Sequence, residues 1–104
     1  MDLEGVKEKI RAGKYSVAFT HTDKLRRRRI STRDIERCID NGRVIEDYPN
    51  DPRGASCLIL GSVGRRALHV VCGRLESDDI LIITAYEPDA GEWEKDWRTR
   101  KARE

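Results

Sequence analysis

SCLILGSVGRRALHVVCG, Ser56 to Gly73, holds two apolar segments rich in β-branched residues on either side of a short turn. Ser56 to Gly61 and Arg66 to Gly73 read as strands, and the SVGR between them leaves room only for an antiparallel hairpin. Downstream, LESD separates the second strand from Ile80 to Tyr86, another β-favouring run. Upstream, Arg43 to Asp47 is a strand candidate joined to Ser56 by a stiff loop. In that loop Pro49 and Pro52 each fix φ, and Gly54 frees the backbone to turn or to approach a ligand. Four strands with short connections predict an antiparallel meander.

The first forty residues supply the other layer. Leu3, Val6 and Ile10 share one helical face and Gly13 ends that segment, so residues 2–12 are expected to be an amphipathic helix. Lys14 to Phe19 alternates as a short strand, and the charge density of Thr22 to Arg29 favours an exposed helix. Ser31 caps the next helix with Asp34 as its capping-box partner. Ile35, Cys38 and Ile39 form the buried stripe of that helix, and Asn41-Gly42 is expected to stop it with a left-handed residue. The fold class is therefore α+β: an antiparallel meander of about four strands plus a short N-terminal strand, with two to three helices on one face.

The 104 residues suit a single domain spanning 1–104, in which 88–104 form a polar, tryptophan-containing tail. Charged residues make up 38% of the chain, yet the net charge is only +2, so the distribution of charge carries the information. KLRRRR, Lys24 to Arg29, gathers five cations, whereas IEDYPND and ESDD are acidic, a segregation that suggests an anion-binding face. Arginine favours phosphate, because its guanidinium forks onto two oxygens. Not all of the run can face one ligand. The pairs Arg26 with Arg29 and Lys24 with Arg28 have the spacing to share a helical face. The alternative is a solvated helix surface. Cys38, Cys57 and Cys72 are widely spaced, with no C-x-x-C pair and no ligand spacing for a metal, and read as reduced thiols of a cytoplasmic protein. No apolar run is long enough to span a bilayer, and the N-terminus does not read as a signal peptide, so no membrane partner is expected.

Symmetric turns at SVGR and LESD would set Leu58 opposite His69, His69 opposite Thr84, and Ala67 opposite Tyr86. One face then carries His69, Thr84, Tyr86 and Ser56. The other, with Leu68, Val70, Cys72, Leu81, Ile83 and Ala85, is apolar and belongs beneath the helices. Histidine titrates near neutrality and a tyrosine hydroxyl can donate or accept, so the pair suits proton transfer. Beside a basic helix the natural reaction is cleavage of an RNA phosphodiester. There the 2′-hydroxyl is the nucleophile, and the protein need only orient it, move protons and neutralise charge. That chemistry asks for no metal or cofactor. His69 and Tyr86 are the catalytic candidates, with Thr84 and Ser56 supporting. Arg53, Lys24, Arg26, Arg28 and Arg29 are the candidates for phosphate. The structural alternative makes His69 a satisfied buried side chain and Tyr86 cross-strand packing. Likewise Glu46, Asp47 or Asp51 would compete for Arg53. Trp93 and Trp97, four residues apart, pack their indoles on the domain or offer a stacking or partner-binding patch.

The strings VIEDYPNDPRG, LHVV and ITAYEPD, within a match from about Phe19 to Trp97, resemble a small prokaryotic family of unknown function. That family is grouped with the RelE-like and MqsR-like ribonuclease toxins. The resemblance implies a RelE-like α+β fold, a metal-independent endoribonuclease, and restraint by an antitoxin such as an MqsA-like zinc-finger protein. It also adds His21 as a catalytic candidate, since members carry a histidine opening the first helix before the basic stretch. The alternatives to a toxin-like enzyme are a non-catalytic RNA- or protein-binding domain of the same fold and a small homo-oligomeric domain.

Overall fold

Helix α1 (Leu3–Arg11) begins where the Asp2 carboxylate accepts from the amides of Glu4 and Gly5, and it ends before Gly13, which is left-handed at φ 72°. Strand β1 (Tyr15–Val17) follows, then α2 (Thr22–Arg27), α3 (Thr32–Asp40), β2 (Arg43–Tyr48), β3 (Ser56–Val63), β4 (Arg66–Arg74) and β5 (Ile80–Tyr86). This is a computed structural model, and it describes residues 1–18, 20 and 22–102, so the His21 candidate lies outside the described residues.

The capping box of α3 forms as expected: Ser31 Oγ accepts from the Asp34 amide and the Asp34 carboxylate from the Ser31 amide. The helix stops by other means than a left-handed residue. Asn41 has φ −98°, and its side-chain amide pairs with the peptide of Ser62, donating to the carbonyl at 2.8 Å and accepting from the amide at 2.9 Å. Gly42 serves close approach instead: a Cβ there would lie 2.5 Å from the Cys38 carbonyl oxygen.

The strand order is β1-β5-β4-β3-β2, a mixed sheet in which β2 to β5 form the antiparallel meander and β1 runs parallel to β5. The expected purely antiparallel arrangement fails only at β1. Two helices separate β1 from β2, so no tight turn binds it to the meander, and a crossover of that length reaches the far edge.

Both hairpins also depart from the symmetric registers. The tip of the first turn is Gly64-Arg65, with Gly64 left-handed at φ 59°, so His69 stands opposite Leu60 and Leu58 opposite Val71. Between β4 and β5, His69 pairs with Tyr86 and Val71 with Thr84. Ala67 faces Ser62 rather than Tyr86. The shifts are of two residues and keep each side chain on its expected face. One irregularity does not. Val71 pairs with Thr84 but Cys72 with Ile82, so Ile83 is an extra residue in β5. Beyond it the faces exchange: Ile80 and Ile82 lie in the core, while Leu81 and Ile83, expected beneath the helices, are half-buried on the opposite face.

Val6 and Ile10 of α1, Leu25 of α2 and Ile35, Cys38 and Ile39 of α3 meet Cys57, Ile59, Leu68, Val70, Cys72, Ile80, Ile82 and Ala85 of the sheet in one core. All three thiols are free and buried. Burial pushes Cys38 up to about 12 and Cys57 to about 11, and raises Cys72, so none is a nucleophile near neutrality. Helix α3 sits so close to β3 that a Cβ on Gly61 would stand 2.0 Å from the Cys38 carbonyl oxygen. Backbone cannot yield there as a side chain could. Gly61→Ala is expected to cost about 3 kcal/mol in urea unfolding, the upper range of overpacking. A loss below about 0.5 kcal/mol would contradict this contact.

Candidate functional site

His69 is wholly buried, on the face of β4 away from the helices. Its ring meets Tyr86 edge-on, with centroids 5.3 Å apart, and Nδ1 lies 3.4 Å from the tyrosine hydroxyl. The other nitrogen, Nε2, is 2.6 Å from the Trp97 carbonyl oxygen. A carbonyl only accepts, so Nε2 carries the proton and Nδ1 is left to accept from Tyr86. Trp93, itself buried, stands perpendicular to the imidazole at 4.5 Å.

The cover over this histidine is the segment after β5. It forms no helix; turns and a bridge between Trp93 and Arg100 fold it back on itself. Trp97 is left-handed at φ 60°, a backbone state that costs an ordinary residue about 1 kcal/mol. Arg100 lies 4.6 Å above the Trp93 ring and grips Glu46 of β2 with two bonds, of 2.7 and 2.9 Å. Arg100 holds the Glu46 carboxyl below its usual range, and Glu46 also accepts from the Tyr48 hydroxyl. Packing of the indoles on the domain, one of the two readings of Trp93 and Trp97, thus describes Trp93. Glu46 and Arg100 were missed. Glu46 and Arg100 are 54 positions apart in the chain, and no spacing rule spans that separation.

The basic run divides. Arg28 reaches the end of β5 that β1 leaves uncovered, donating to the Ala85 carbonyl at 2.8 Å and to Thr84 Oγ1 at 3.3 Å. Arg26 and Arg29 instead line a groove with Thr22, Ser31 and Thr32. Lys24 is exposed. Arg66, not among the expected residues, ties the link between α2 and α3 to the sheet by donating to the carbonyls of Arg28 and Arg29, and it pairs with Glu87. The structure therefore gathers His69, Tyr86, Thr84 and Arg28. Ser56 and Arg53 are elsewhere. Ser56 pairs with Gly73, four residues along β4 from His69 and so about 13 Å away. The Arg53 side chain is 91% exposed at that distant end, and its acidic contact is Asp51 at 3.4 Å. Among the described residues no group of three His, Cys, Asp or Glu side chains is arranged to hold a metal ion, and no helix is long and apolar enough to cross a membrane.

Burial, first, lowers the His69 pKa below its usual value; the Trp97 carbonyl and the Glu46 carboxylate oppose that without overcoming it. Burial likewise raises Tyr86, so both groups are neutral at pH 7. A base whose pKa is depressed by folding binds its proton more readily in the unfolded chain. Its contribution to stability is complete above the unfolded value of about 6.5 and is lost as pH falls through the folded value. The His69 ring protons, assigned in an NMR titration with His21→Gln, are expected to titrate below pH 6.5. A midpoint at or above that value would show the imidazole to be open to water.

No curated protein and no solved structure matches the chain. A model for a domain of unknown function (DUF4258) matches residues 22–87, more than half of the sequence, from α2 to the residue after β5. The match takes in His69, Tyr86, Thr84, Arg28 and Glu46 and stops before Trp93, Trp97 and Arg100. On that match the chain belongs to the DUF4258 family.

Proposed function

We infer that the protein is a toxin-like endoribonuclease of the RelE- and MqsR-like kind, cleaving RNA phosphodiesters through the 2′-hydroxyl. The observation that carries this reading is the Tyr86 hydroxyl lying 3.4 Å from Nδ1 of a neutral His69, beside Arg28. Tyr86 is only half-buried and is the member of the pair that faces outward. Its oxygen accepts the proton of the 2′-hydroxyl while its own proton passes to Nδ1. The 2′-oxygen then attacks phosphorus, the bond to the 5′-oxygen breaks, and water protonates that oxygen. The products are a 2′,3′-cyclic phosphate and a 5′-hydroxyl, and the imidazolium returns its proton to solvent. Arg28 supplies positive charge to the phosphate. His21 remains a second acid/base candidate, and an MqsA-like antitoxin is the partner this reading calls for. A second reading, a non-catalytic RNA- or protein-binding domain, is favoured by the complete burial of His69.

Purified protein is expected to cleave RNA in EDTA. Tyr86→Phe, which keeps the ring and removes the hydroxyl, is expected to lower the rate at least tenfold while the domain stays folded by circular dichroism, with at most a small fall in melting temperature from the unpaired Nδ1. His69→Ala is expected to lower it as much, with some loss of stability. Equal rates for wild type and Tyr86→Phe would remove the pair from the mechanism, and intact RNA bound with a steep salt dependence would establish the binding domain instead. Arg28→Ala and Arg53→Ala separate the cations. An arginine on phosphate reduces the salt slope by about one when removed, whereas one engaged only with Asp51 leaves both slope and rate as they were.

A further inference from the structure

The segment that covers His69 is attached to the sheet in an unusual way. Among the described residues, its turn and loop backbone hydrogen bonds all close within itself: Trp93 to Asp89, Glu94 to Thr99, Trp97 to Glu94 and Lys101 to Glu92. Asp96 adds side-chain bonds to Arg98 and Thr99, also internal. No strand of the sheet continues into it. What holds it to the domain is the burial of Trp93, the Trp97 carbonyl on His69 Nε2, and the two bonds from Arg100 to Glu46. A unit whose backbone is satisfied internally can leave without stranding unpaired amides on the sheet. Its departure uncovers His69.

We propose that residues 89–101 are an autoinhibitory strap over the His69–Tyr86 pair, latched by the Glu46–Arg100 ion pair and opened when that pair is broken. The proposal rests on the ribonuclease reading and names the regulation of that same site. Arg100 is the natural release point. It is the segment's salt bridge to the rest of the domain, its side chain is 56% exposed, and its fork fits a phosphate as well as it fits Glu46. RNA entering the face therefore competes with Glu46 for Arg100, and opening is coupled to substrate. Once Arg100 is released, Trp93 loses the cation above its ring, and only its own burial and the Trp97 carbonyl remain.

Both tryptophans of the chain lie in this strap, so intrinsic fluorescence reports its position directly. Glu46→Gln and Arg100→Gln are expected to shift tryptophan emission to the red and to raise RNA cleavage at least tenfold with His21 in place. For the acylation assay alone each is made in a His21→Gln background, where diethyl pyrocarbonate should modify His69 at least fivefold faster. The double variant should do no more than either single one, because each removes the same bond. Far-UV circular dichroism and the melting temperature check that the sheet stays folded. In the unaltered protein, the amides of Glu94, Trp97 and Lys101 should exchange with deuterium at least tenfold faster than those of β3 and β4. Equal protection would mean that the segment opens only with the whole domain, which overturns the proposal even where a variant fails to fold. An opened strap with cleavage no faster than that of wild type also overturns it and leaves the ribonuclease reading standing. No cleavage by any form, with His69 acylated faster in the latch variants, removes the ribonuclease reading and the inhibitory role while keeping the latch.

Discussion

The extra residue in β5 governs what each face of the sheet can do. Below Ile83 the pairing sets Ile82 against Cys72 and Ile80 against Arg74, which sends both isoleucines into the core. Carried upward without interruption, that register would bring Ala85 opposite His69 and turn Tyr86 towards the helices. The bulge reverses the alternation. Thr84 and Tyr86 then share a face with His69, and Ala85, small enough to lie beneath the helices, returns to the core. The same step leaves Leu81 and Ile83 half-buried on the outer face, where they floor a cleft of about 480 Å³ with Val71, Arg53 and Tyr48. A single inserted residue thus supports both the apolar core and the polar cluster.

The helical layer is held to that sheet by contacts that tolerate little change. Helix α3 lies over β3 with backbone almost touching backbone at Gly61, and Asn41 pairs both polar groups of the Ser62 peptide. The helix is thereby fixed at its C-terminal end, where Cys38 Sγ also reaches the Leu68 carbonyl at 3.5 Å. On the opposite face the cover consists of Trp93, its cation and a few hydrogen bonds. The two sides of the sheet are therefore sealed by different physics: the inner one by apolar burial among three helices, the outer one by side-chain contacts from an irregular segment. Local opening belongs to the second kind of contact.

Much of this was legible in the residues. The helix stripes of Val6 and Ile10 and of Ile35, Cys38 and Ile39, the capping box at Ser31, and the five strands all follow from periodicities of 3.6 and 2 and from turn residues. The membership of His69, Tyr86, Thr84 and Ser56 on one face also followed, because the register shifts came in twos. Three features did not. The parallel pairing of β1 depends on which edge a long crossover reaches. The bulge is invisible because Leu81 to Ile83 are apolar at every position and show no alternation to break. The stop of α3 at Asn41-Gly42 was located correctly but given the wrong cause, since a glycine needed for close packing and one needed for positive φ look identical in a sequence.

For the candidate site the division is sharper. The amino-acid sequence by itself determined which chemical groups exist and which strand bears them: an imidazole on β4, a phenol on β5, a cationic run ahead of α3, and two indoles in a polar tail. Tertiary structure alone decided that Arg28 reaches Thr84 while Arg53 stays in its loop beside Asp51, and that Glu46 meets Arg100, which lies over the Trp93 ring. It also decided that His69 is buried. The reason is one of range. Periodicity and turn chemistry act between near neighbours in the chain, whereas the cover over His69 joins β2, β4 and the tail through contacts that only the closed sheet brings together.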